Sequence, residues 1–300
     1  MKEMVEFNHV SKSFKNKNVL NDVTLSFEEG RIYGLIGQNG AGKTTLMRII
    51  AGLTLPTRGS LSLLGNKVPK YIEKARKEVG FLIENPALYP GLTAEQNMKI
   101  QQLLKGYDSK EERVRLLQLV NLETNNKKTH DFSMGMKQRL GIAMALVGHP
   151  RLLVLDEPIN GLDPEGIVKV RNLLRDLQSN GTTIILSSHI LPELMNVVSD
   201  FVLMDSGHII EQEGREELEC KLEKKIIIKT SDNKRALIVM EELYPELDYK
   251  SMENRLVFVK KHDMDINKIG TELNRKGISI MEFGEKNMQL DEYFLGKLGK

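Results

Sequence analysis

The sequence has 300 residues, of which 40% are hydrophobic and 28% charged, and its formal net charge is +2. This length fits one large domain with a small one, and the near-neutral charge lacks the basic excess of nucleic-acid-binding proteins. The N-terminus lacks a secretory signal, no apolar run reaches the ~20 residues of a membrane span, and the single cysteine, Cys220, excludes an internal disulfide.

The N-terminal segments have strand patterns, because apolar residues alternate with polar ones from Val5 to His9 and from Val19 to Phe27. A continuous apolar strand, Arg31–Ile36, then runs into a glycine-rich turn. The helix that we predict from Lys43 has a buried stripe of Leu46, Ile49, Ile50 and Leu53.

The glycine-rich turn Gly37–Thr44 (GQNGAGKT) matches the pattern G-x-x-x-x-G-K-[ST] residue for residue. Its glycines let the backbone coil so that N–H groups point at phosphate oxygens, and the following helix adds its positive end. We expect Lys43 to reach the β- and γ-phosphates of a nucleotide and the Thr44 hydroxyl to bind Mg²⁺. The strand before the turn and the helix after it favour this interpretation over a chance glycine turn.

The middle of the chain, from about 93 to 147, is helical in character. Two further apolar strands, Leu152–Leu155 and Thr182–Leu186, flank a helix that Asp163 caps and Gly181 ends. A strand, a helix and a strand in this order form the parallel unit of an α/β domain.

Two carboxylates, Asp156 and Glu157, come directly after the strand Leu152–Leu155. Such a pair by itself is more typical of a solvated loop, but the phosphate-binding turn upstream favours a ligand site at this strand end. We expect Asp156 to hold Mg²⁺, directly or through water, and Glu157 to activate or orient the attacking water.

The sequence changes in character near Cys220, and we place the domain boundary between residues 218 and 219. The second domain, 219–300, has the order β-α-β-β-α-β of a ferredoxin-like α+β fold. The predicted elements are strand Lys225–Lys229, helix Lys234–Leu243, strands Asp248–Met252 and Arg255–Lys260, helix Asp265–Lys276, strand Ile278–Phe283 and helix Leu290–Leu298.

Taken together, residues 3–215 resemble the ATP-binding subunits of ABC transporters. The segment Asp131–Leu140 (DFSMGMKQRL) looks like a variant of that family's L-S-G-G-Q signature, and Asn160–Asp163 (NGLD) is similar to its D-loop. Ser187-Ser188-His189 follows a buried strand, as the family's switch histidine does. The resemblance implies an α/β fold for residues 1–218: a P-loop (RecA-like) ABC ATPase domain with antiparallel β and helical subdomains, the latter at about 93–147.

The resemblance also implies roles for single residues. Ser133 and Gly135 would contact the γ-phosphate of ATP held by a second subunit, and Phe14 would stack on adenine, although an aromatic residue near a strand end more often only packs. The implied catalytic residues are Glu157 and His189, and the implied metal ligands are Thr44, Asp156 and Glu84. The implied nucleotide-binding residues are Phe14, Gly37, Asn39, Gly40, Ala41, Gly42, Lys43, Thr44, Thr45, Glu84, Ser133, Gly135 and Asp163.

Two departures from the family pattern point to one group of exporters within the family. Glu84 stands where most members carry glutamine, and Met134 and Met136 replace glycine and glutamine of the signature. The acid adds a negative charge, which favours Mg²⁺ attraction or altered coupling. Both departures resemble the exporters of bacitracin and lantibiotics, and so imply an ATP-hydrolysing subunit in peptide-antibiotic resistance or immunity.

The resemblance implies three further properties. ATP would join this chain to a second copy of itself or to a paralogous subunit, and a membrane permease on a separate chain would dock near residues 85–93. We therefore expect a cytoplasmic protein on the inner face of the cell membrane, with no nucleic-acid partner.

Two alternative functions predict other sequence features. Soluble ABC ATPases that act on the ribosome or on DNA carry two fused P-loop halves or a long coiled-coil insertion, and this sequence has one P-loop and no sustained heptads. A regulatory module that holds ATP without hydrolysis is disfavoured by the presence of Glu157 and His189. For the second domain we expect an accessory role in dimer stability or regulation, and its lysine runs are typical of solvated faces.

Overall fold

The computed structural model describes residues 2–15, 17–188, 194–221, 224–247, 250–252, 255–259, 264–287 and 290–297. The chain divides into two units, Met1–Arg215 and Glu216–Lys300. Each unit has its own cluster of buried apolar side chains. The boundary that we predicted after residue 218 falls inside the helix Arg215–Lys221.

The first unit contains two sheets. The smaller sheet is antiparallel, with strand order β2-β1-β4. Its strands are β1 (Glu3–Phe14), β2 (Lys17–Glu28) and β4 (Arg58–Leu63). The strands of the larger sheet are β3 (Ile32–Ile36), β5 (Val79–Leu82), β6 (Leu152–Leu155), β7 (Thr183–Ser187), β8 (Asp200–Asp205) and β9 (His208–Gly214). They lie in the order β5-β6-β7-β3-β8-β9, and only β9 is antiparallel to its neighbour.

The larger sheet brings four segments of the chain to one edge. Strands β5, β6, β7 and β3 are parallel neighbours, so their carboxyl ends lie at the same edge of the sheet, where open α/β sheets bind ligands. Every residue of β6 and β7 is buried. This explains their continuous apolar sequence, which is typical of strands covered on both faces.

The helices of the first unit connect these strands. They are α1 (Lys43–Ala51), α2 (Pro69–Ala75), α3 (Ala94–Leu104), α4 (Lys110–Leu119), α5 (Met134–Ala145) and α6 (Pro164–Ser179). Helices α3, α4 and α5 contact one another and lie within the region predicted to be helical. As predicted, Asp163 caps α6, accepting a hydrogen bond from the N–H of Gly166 at 3.1 Å, with Pro164 at the first helical position.

The second unit has one antiparallel sheet with strand order β11-β12-β10-β13. From α7 (Arg215–Lys221) onward its elements are β10 (Lys224–Thr230), α8 (Asn233–Leu243), β11 (Lys250–Met252), β12 (Arg255–Val259), α9 (Ile266–Arg275), β13 (Ile280–Asn287) and α10 (Leu290–Lys297). The four strands with the two helices α8 and α9 between them follow the β-α-β-β-α-β order of a ferredoxin-like fold. None of the described helices in either unit is long and apolar enough to cross a membrane.

Candidate functional site

The glycine-rich turn joins β3 to α1 at the shared edge of the larger sheet. Gly42 precedes the first residue of α1 and has a φ of 109°, in the region that favours glycine. A Cβ atom at this position would lie 2.7 Å from a methyl carbon of Leu20 and 3.0 Å from the carbonyl oxygen of Val19. No side chain caps this helix start. Its first N–H groups therefore suit an anionic ligand.

Lys43, the first residue of α1, carries a buried positive charge, because only 8% of this residue is exposed. Its Nζ donates to the carbonyl oxygens of Gly37 at 2.6 Å and Gln38 at 3.2 Å. Burial lowers the pKa of Lys43, while the nearby charges of Glu157 and Asp156 act in the opposite direction. An anionic phosphate beside this ammonium would compensate for its burial.

Asp156 lies directly after β6, and its carboxylate connects this strand end to α1 and β7. Its Oδ2 accepts a hydrogen bond from Thr44 Oγ1 at 2.9 Å, and its Oδ1 accepts one from Ser187 Oγ at 2.6 Å. Thr44 belongs to α1, and Ser187 is the last, fully buried residue of β7. Both carboxylate oxygens are therefore held in place by hydroxyl groups.

Glu157 follows with an uncommon backbone conformation, a φ of 51°. Its N–H donates to Ser187 Oγ at 2.9 Å, and its carbonyl oxygen accepts from Gln138 Nε2 at 2.9 Å. Gln138 belongs to α5 and is 6% exposed. The peptide groups on both sides of the Glu157 α-carbon are thus fixed by buried side chains.

Glu84 follows β5 and also has a positive φ, 60°. Its carboxylate forms an ion pair with Arg48, which lies on α1 four residues after Thr44. The acid that replaces the expected glutamine is thus paired with a cation from the helix that follows the glycine-rich turn.

These segments enclose a cleft of about 400 Å³. It is lined by Val19, Asn39, Gly40, Ala41, Gly42, Lys43, Thr44, Thr45, Glu84, Asn85, Asp156, Glu157 and Asn160. Most of the predicted nucleotide, metal and catalytic residues therefore lie together. Gly37 is not among the lining residues but supplies a carbonyl oxygen to Lys43.

Four other predicted residues lie outside the lining of this cleft. Phe14, at the end of β1, is 42% exposed, and Lys12 Nζ lies 4.6 Å from the centre of its ring. Ser133 caps α5, accepting from the N–H of Met136 at 3.3 Å, and the adjacent Gly135 is in its first turn. Asp163 caps α6. The last predicted residue, His189, lies outside the described residues.

The oxygen atoms at the cleft fit a Mg²⁺ ion. Hydroxyl and carboxylate oxygens are ligands that Mg²⁺ prefers, and the 2.9 Å between Thr44 Oγ1 and Asp156 Oδ2 is about that between adjacent ligands of an octahedral Mg²⁺. Among the residues that the structure describes, no group of three or more His, Cys, Asp or Glu side chains could hold a metal ion. Phosphate and water would therefore have to complete the coordination of such an ion.

Sequence reasoning assigned no role to several residues of this site, including Asn85 and Asn160, which line the cleft. Ser187 stood inside the Ser-Ser-His motif, but only the histidine received a role, although a hydroxyl at the end of a buried strand is a usable signal. Gln138 stood inside the signature segment, and its target becomes visible only when α5 is packed against the sheet. Nothing in the sequence pattern singled out Arg48 or Val19.

Comparison with known proteins places these features in a family. Residues 20–160 match the family profile described as ABC transporter. The chain is 36% identical to the bacitracin transport ATP-binding protein BcrA of Enterococcus faecalis, over 100% of this chain and 97% of that protein. It is 40% identical to the lantibiotic transport ATP-binding protein SrtF of Streptococcus pyogenes, over 72% of this chain and 94% of that protein.

A similar solved structure agrees with this. It is the dimeric structure of a post-hydrolysis state of an ATP-binding cassette bound to ADP and Pi. That structure superposes with a TM-score of 0.65 at 28% identity, and the match covers 71% of this chain and 99% of that one.

Proposed function

The chain belongs to the ATP-binding subunits of ABC transporters, and we propose that it drives the export of a peptide antibiotic and so supports resistance or immunity. As a member of this family it is an ATPase. The observation that carries the finer proposal is the similarity to a bacitracin transport ATP-binding protein along the full length of this chain. The lantibiotic transport protein, which matches 72% of this chain, supports the same substrate class.

We assign nucleotide binding to the turn between β3 and α1. The N–H groups of Asn39 to Thr45 would hold the phosphates, and the buried ammonium of Lys43 would exchange its carbonyl partners for the β- and γ-phosphate oxygens. Val19 also lines the cleft. We expect the adenine beside it, with Phe14 as the stacking residue implied by the family.

A Mg²⁺ ion would neutralise phosphate charge and orient the β- and γ-phosphates. Thr44 and Asp156 are the residues that would hold it, with Glu84 as a third oxygen donor. Ser187 keeps the Asp156 carboxylate turned toward Thr44 through its 2.6 Å hydrogen bond to Oδ1.

We assign hydrolysis to Glu157. Glu157 lines the cleft, and its charge acts on Lys43. Its carboxylate would take the proton of the attacking water or orient that water toward the γ-phosphate. His189 is proposed from the family pattern to stabilise the charge that develops on the phosphate.

We further propose that two ATPase units share each site. Ser133 and Gly135 lie at the start of α5, and Asp163 at the start of α6, and none of the three lines the cleft of its own chain. Helix starts of this kind suit the γ-phosphate of an ATP bound by a partner unit. The similar cassette of known structure is itself a dimer with ADP and Pi.

The remaining partner would be a membrane permease on a separate chain, which places this protein at the inner face of the cell membrane. The segment 85–93 is our candidate contact with it, and Tyr89 in this segment is 53% exposed. A soluble ABC ATPase that acts on the ribosome or DNA is not favoured, because the relatives that match this chain along its length are transport proteins.

The proposal is tested with the variant Glu157→Gln. We expect it to bind MgATP but to hydrolyse it only at a small residual rate, so its mass by light scattering should double only when MgATP is added. The double variant Lys43→Ala/Glu157→Gln is the control and should stay at the mass of one chain. Normal turnover by Glu157→Gln would remove Glu157 from the proposed mechanism.

The substrate class needs a separate test in cells. Deletion of the gene should lower the inhibitory concentration of bacitracin or of a lantibiotic, and the wild-type gene, but not the Glu157→Gln gene, should restore it. Unchanged sensitivity to both classes would contradict the peptide-antibiotic proposal and leave the ATPase assignment intact.

A further inference from the structure

Helix α5 contacts the segment Glu157–Asp163 of the same chain at two points. Near the middle of the helix, Gln138 Nε2 donates to the carbonyl oxygen of Glu157 at 2.9 Å. At its start, Met134 lies over Gly161, where an added Cβ atom would be only 2.8 Å from the Met134 sulfur. The helix that begins with the signature residues is therefore attached to the segment that begins with Glu157.

The hydrogen bond from Gln138 is made to a residue whose backbone conformation is strained. A glutamate with a φ of 51° costs about 1–3 kcal/mol relative to its preferred conformations, and it persists only where neighbouring groups hold it. Two side chains do so here: Ser187 accepts from the N–H of Glu157, and Gln138 donates to its carbonyl oxygen.

The two side chains differ in what else they hold. Ser187 also donates to Asp156 Oδ1, so its loss would disturb the metal-binding carboxylate together with Glu157. Gln138 is the one that belongs to α5, the helix whose first residues, Ser133 and Gly135, we assign to the partner's ATP. Its bond thus links the signature to the hydrolytic residue within one chain.

We propose that Gln138 is a positioning residue for Glu157: it holds the Glu157 backbone in the left-handed conformation that aims the carboxylate into the cleft, and it makes that position depend on the placement of α5. Engagement of the signature by a partner's ATP would thereby be transmitted to the hydrolytic site of the same chain. The inference rests on the proposed function, which assigns hydrolysis to Glu157 and ATP contact to the signature.

The test is the variant Gln138→Met, which keeps the length and the apolar stem of the side chain but removes the N–H donor. We expect kcat to fall about tenfold, near the upper effect of one hydrogen bond between uncharged groups, with KM and MgATP affinity unchanged. The matched control is Gln178→Met, because Gln178 Nε2 likewise donates to a backbone carbonyl, that of Gly30 at 2.7 Å, outside the residues that line the cleft. That variant should keep the wild-type kcat.

Two further measurements separate positioning from a structural effect. In the Glu157→Gln background, Gln138→Met should lower the residual rate no further, because its effect passes through Glu157. The isosteric variant Gln138→Glu can donate only when protonated, so the ratio of its rate to the wild-type rate should rise as pH falls.

Three results would overturn the inference: a wild-type kcat for Gln138→Met, an equal further loss in the Glu157→Gln background, or a Gln138→Glu ratio that does not change with pH. If Glu157→Gln itself turned over normally, the proposed role of Glu157 would fail instead. If only the positioning role of Gln138 were contradicted, the role of Glu157 in hydrolysis would be unaffected.

Discussion

Lys43 shows what a single buried charge contributes to this site. Its ammonium is held by two carbonyl oxygens of its own turn and is largely removed from water. We predict that Lys43→Ala weakens MgATP binding at least about tenfold, because one charge-assisted hydrogen bond contributes about 1.5–3 kcal/mol. Equilibrium titration with a fluorescent ATP analogue measures this.

The chain offers a matched control for this change. Lys105 is a second lysine whose pKa burial lowers, and its Nζ also donates to a backbone carbonyl, that of Lys77 at 3.2 Å. Lys105 does not line the cleft. We expect Lys105→Ala to bind MgATP as the wild type does, and an equal loss of affinity in both variants would mean that the effect is not specific to the cleft.

A second residue-scale prediction concerns the acid at position 84. The ion pair of Glu84 with Arg48 is partly exposed, with 50% and 37% of the two side chains accessible, so its contribution to stability is small. Its effect should instead be on the metal, because Arg48 and Mg²⁺ compete for the same carboxylate. We predict that Glu84→Gln raises the Mg²⁺ concentration needed for half-maximal nucleotide binding severalfold, and that Arg48→Gln lowers it.

The two changes should also depend on each other. In the Glu84→Gln background, Arg48→Gln should have no effect on the Mg²⁺ requirement, since the carboxylate that it would release is gone. Arg151→Gln is the control, because Arg151 forms a similarly exposed ion pair with Glu29 at 3.1 Å. The idea is wrong if Arg48→Gln shifts the Mg²⁺ requirement equally in both backgrounds.

Among single residues, the sequence predicted those whose chemical role follows from a short local pattern. The glycine-rich turn and the carboxylate pair after β6 are such patterns, and the structure brings them together at the cleft. The roles of Ser187 and Gln138 were not predicted, because the residues to which they hydrogen-bond, Asp156 and Glu157, are 31 and 19 residues away along the chain. A hydrogen bond across such a separation exists only once strands and helices are packed.

Among the elements, β5 and α5 approach each other closely at Gly80. A Cβ atom at Gly80 of β5 would lie 2.0 Å from the carbonyl oxygen of Ala145 at the end of α5. Backbone cannot move aside as a flexible side chain can. We predict that Gly80→Ala destabilises the protein by about 1–3 kcal/mol, the usual effect of overpacking, measured by denaturant unfolding.

Gly91→Ala is the reference for that prediction, because a Cβ atom at Gly91 would meet nothing within 4 Å. Both variants make the same chemical change, so the effect on the unfolded chain cancels in the comparison. Equal unfolding midpoints for the two variants would show that β5 and α5 can separate without loss of stability.

The elements themselves were predictable to different degrees. Strands β3, β6 and β7 are short apolar runs bounded by turn residues, and α6 has its cap and its proline in sequence, so all four were found. The order in which the strands lie could not be found, because β6 and β7 are inserted between β5 and β3 by pairing across distant segments. Periodicity reports which face of a strand is buried but not which strand lies beside it.

For the whole molecule, the relatives differ in how much of this chain they match. The bacitracin transport relative matches this chain over its entire length. The lantibiotic transport relative matches only 72% of this chain, although 94% of that relative is included in the match. Among the residues that the structure describes, those that line the cleft all belong to the unit Met1–Arg215. We therefore propose that the C-terminal unit acts away from the ATP site, in holding two subunits together.

This proposal gives a prediction for a chain that ends at Arg215. The first unit has its own buried core and all the lining residues of the cleft, so we expect the shortened chain to bind MgATP with wild-type affinity. With Glu157→Gln in both lengths, we expect the MgATP-dependent dimer of the shortened chain to dissociate at higher protein concentration than that of the full chain. Analytical ultracentrifugation over a dilution series measures both. Equal dissociation constants would exclude a role of the C-terminal unit in dimerisation, and a folded shortened chain that cannot bind MgATP would mean that the C-terminal unit contributes to the ATP site.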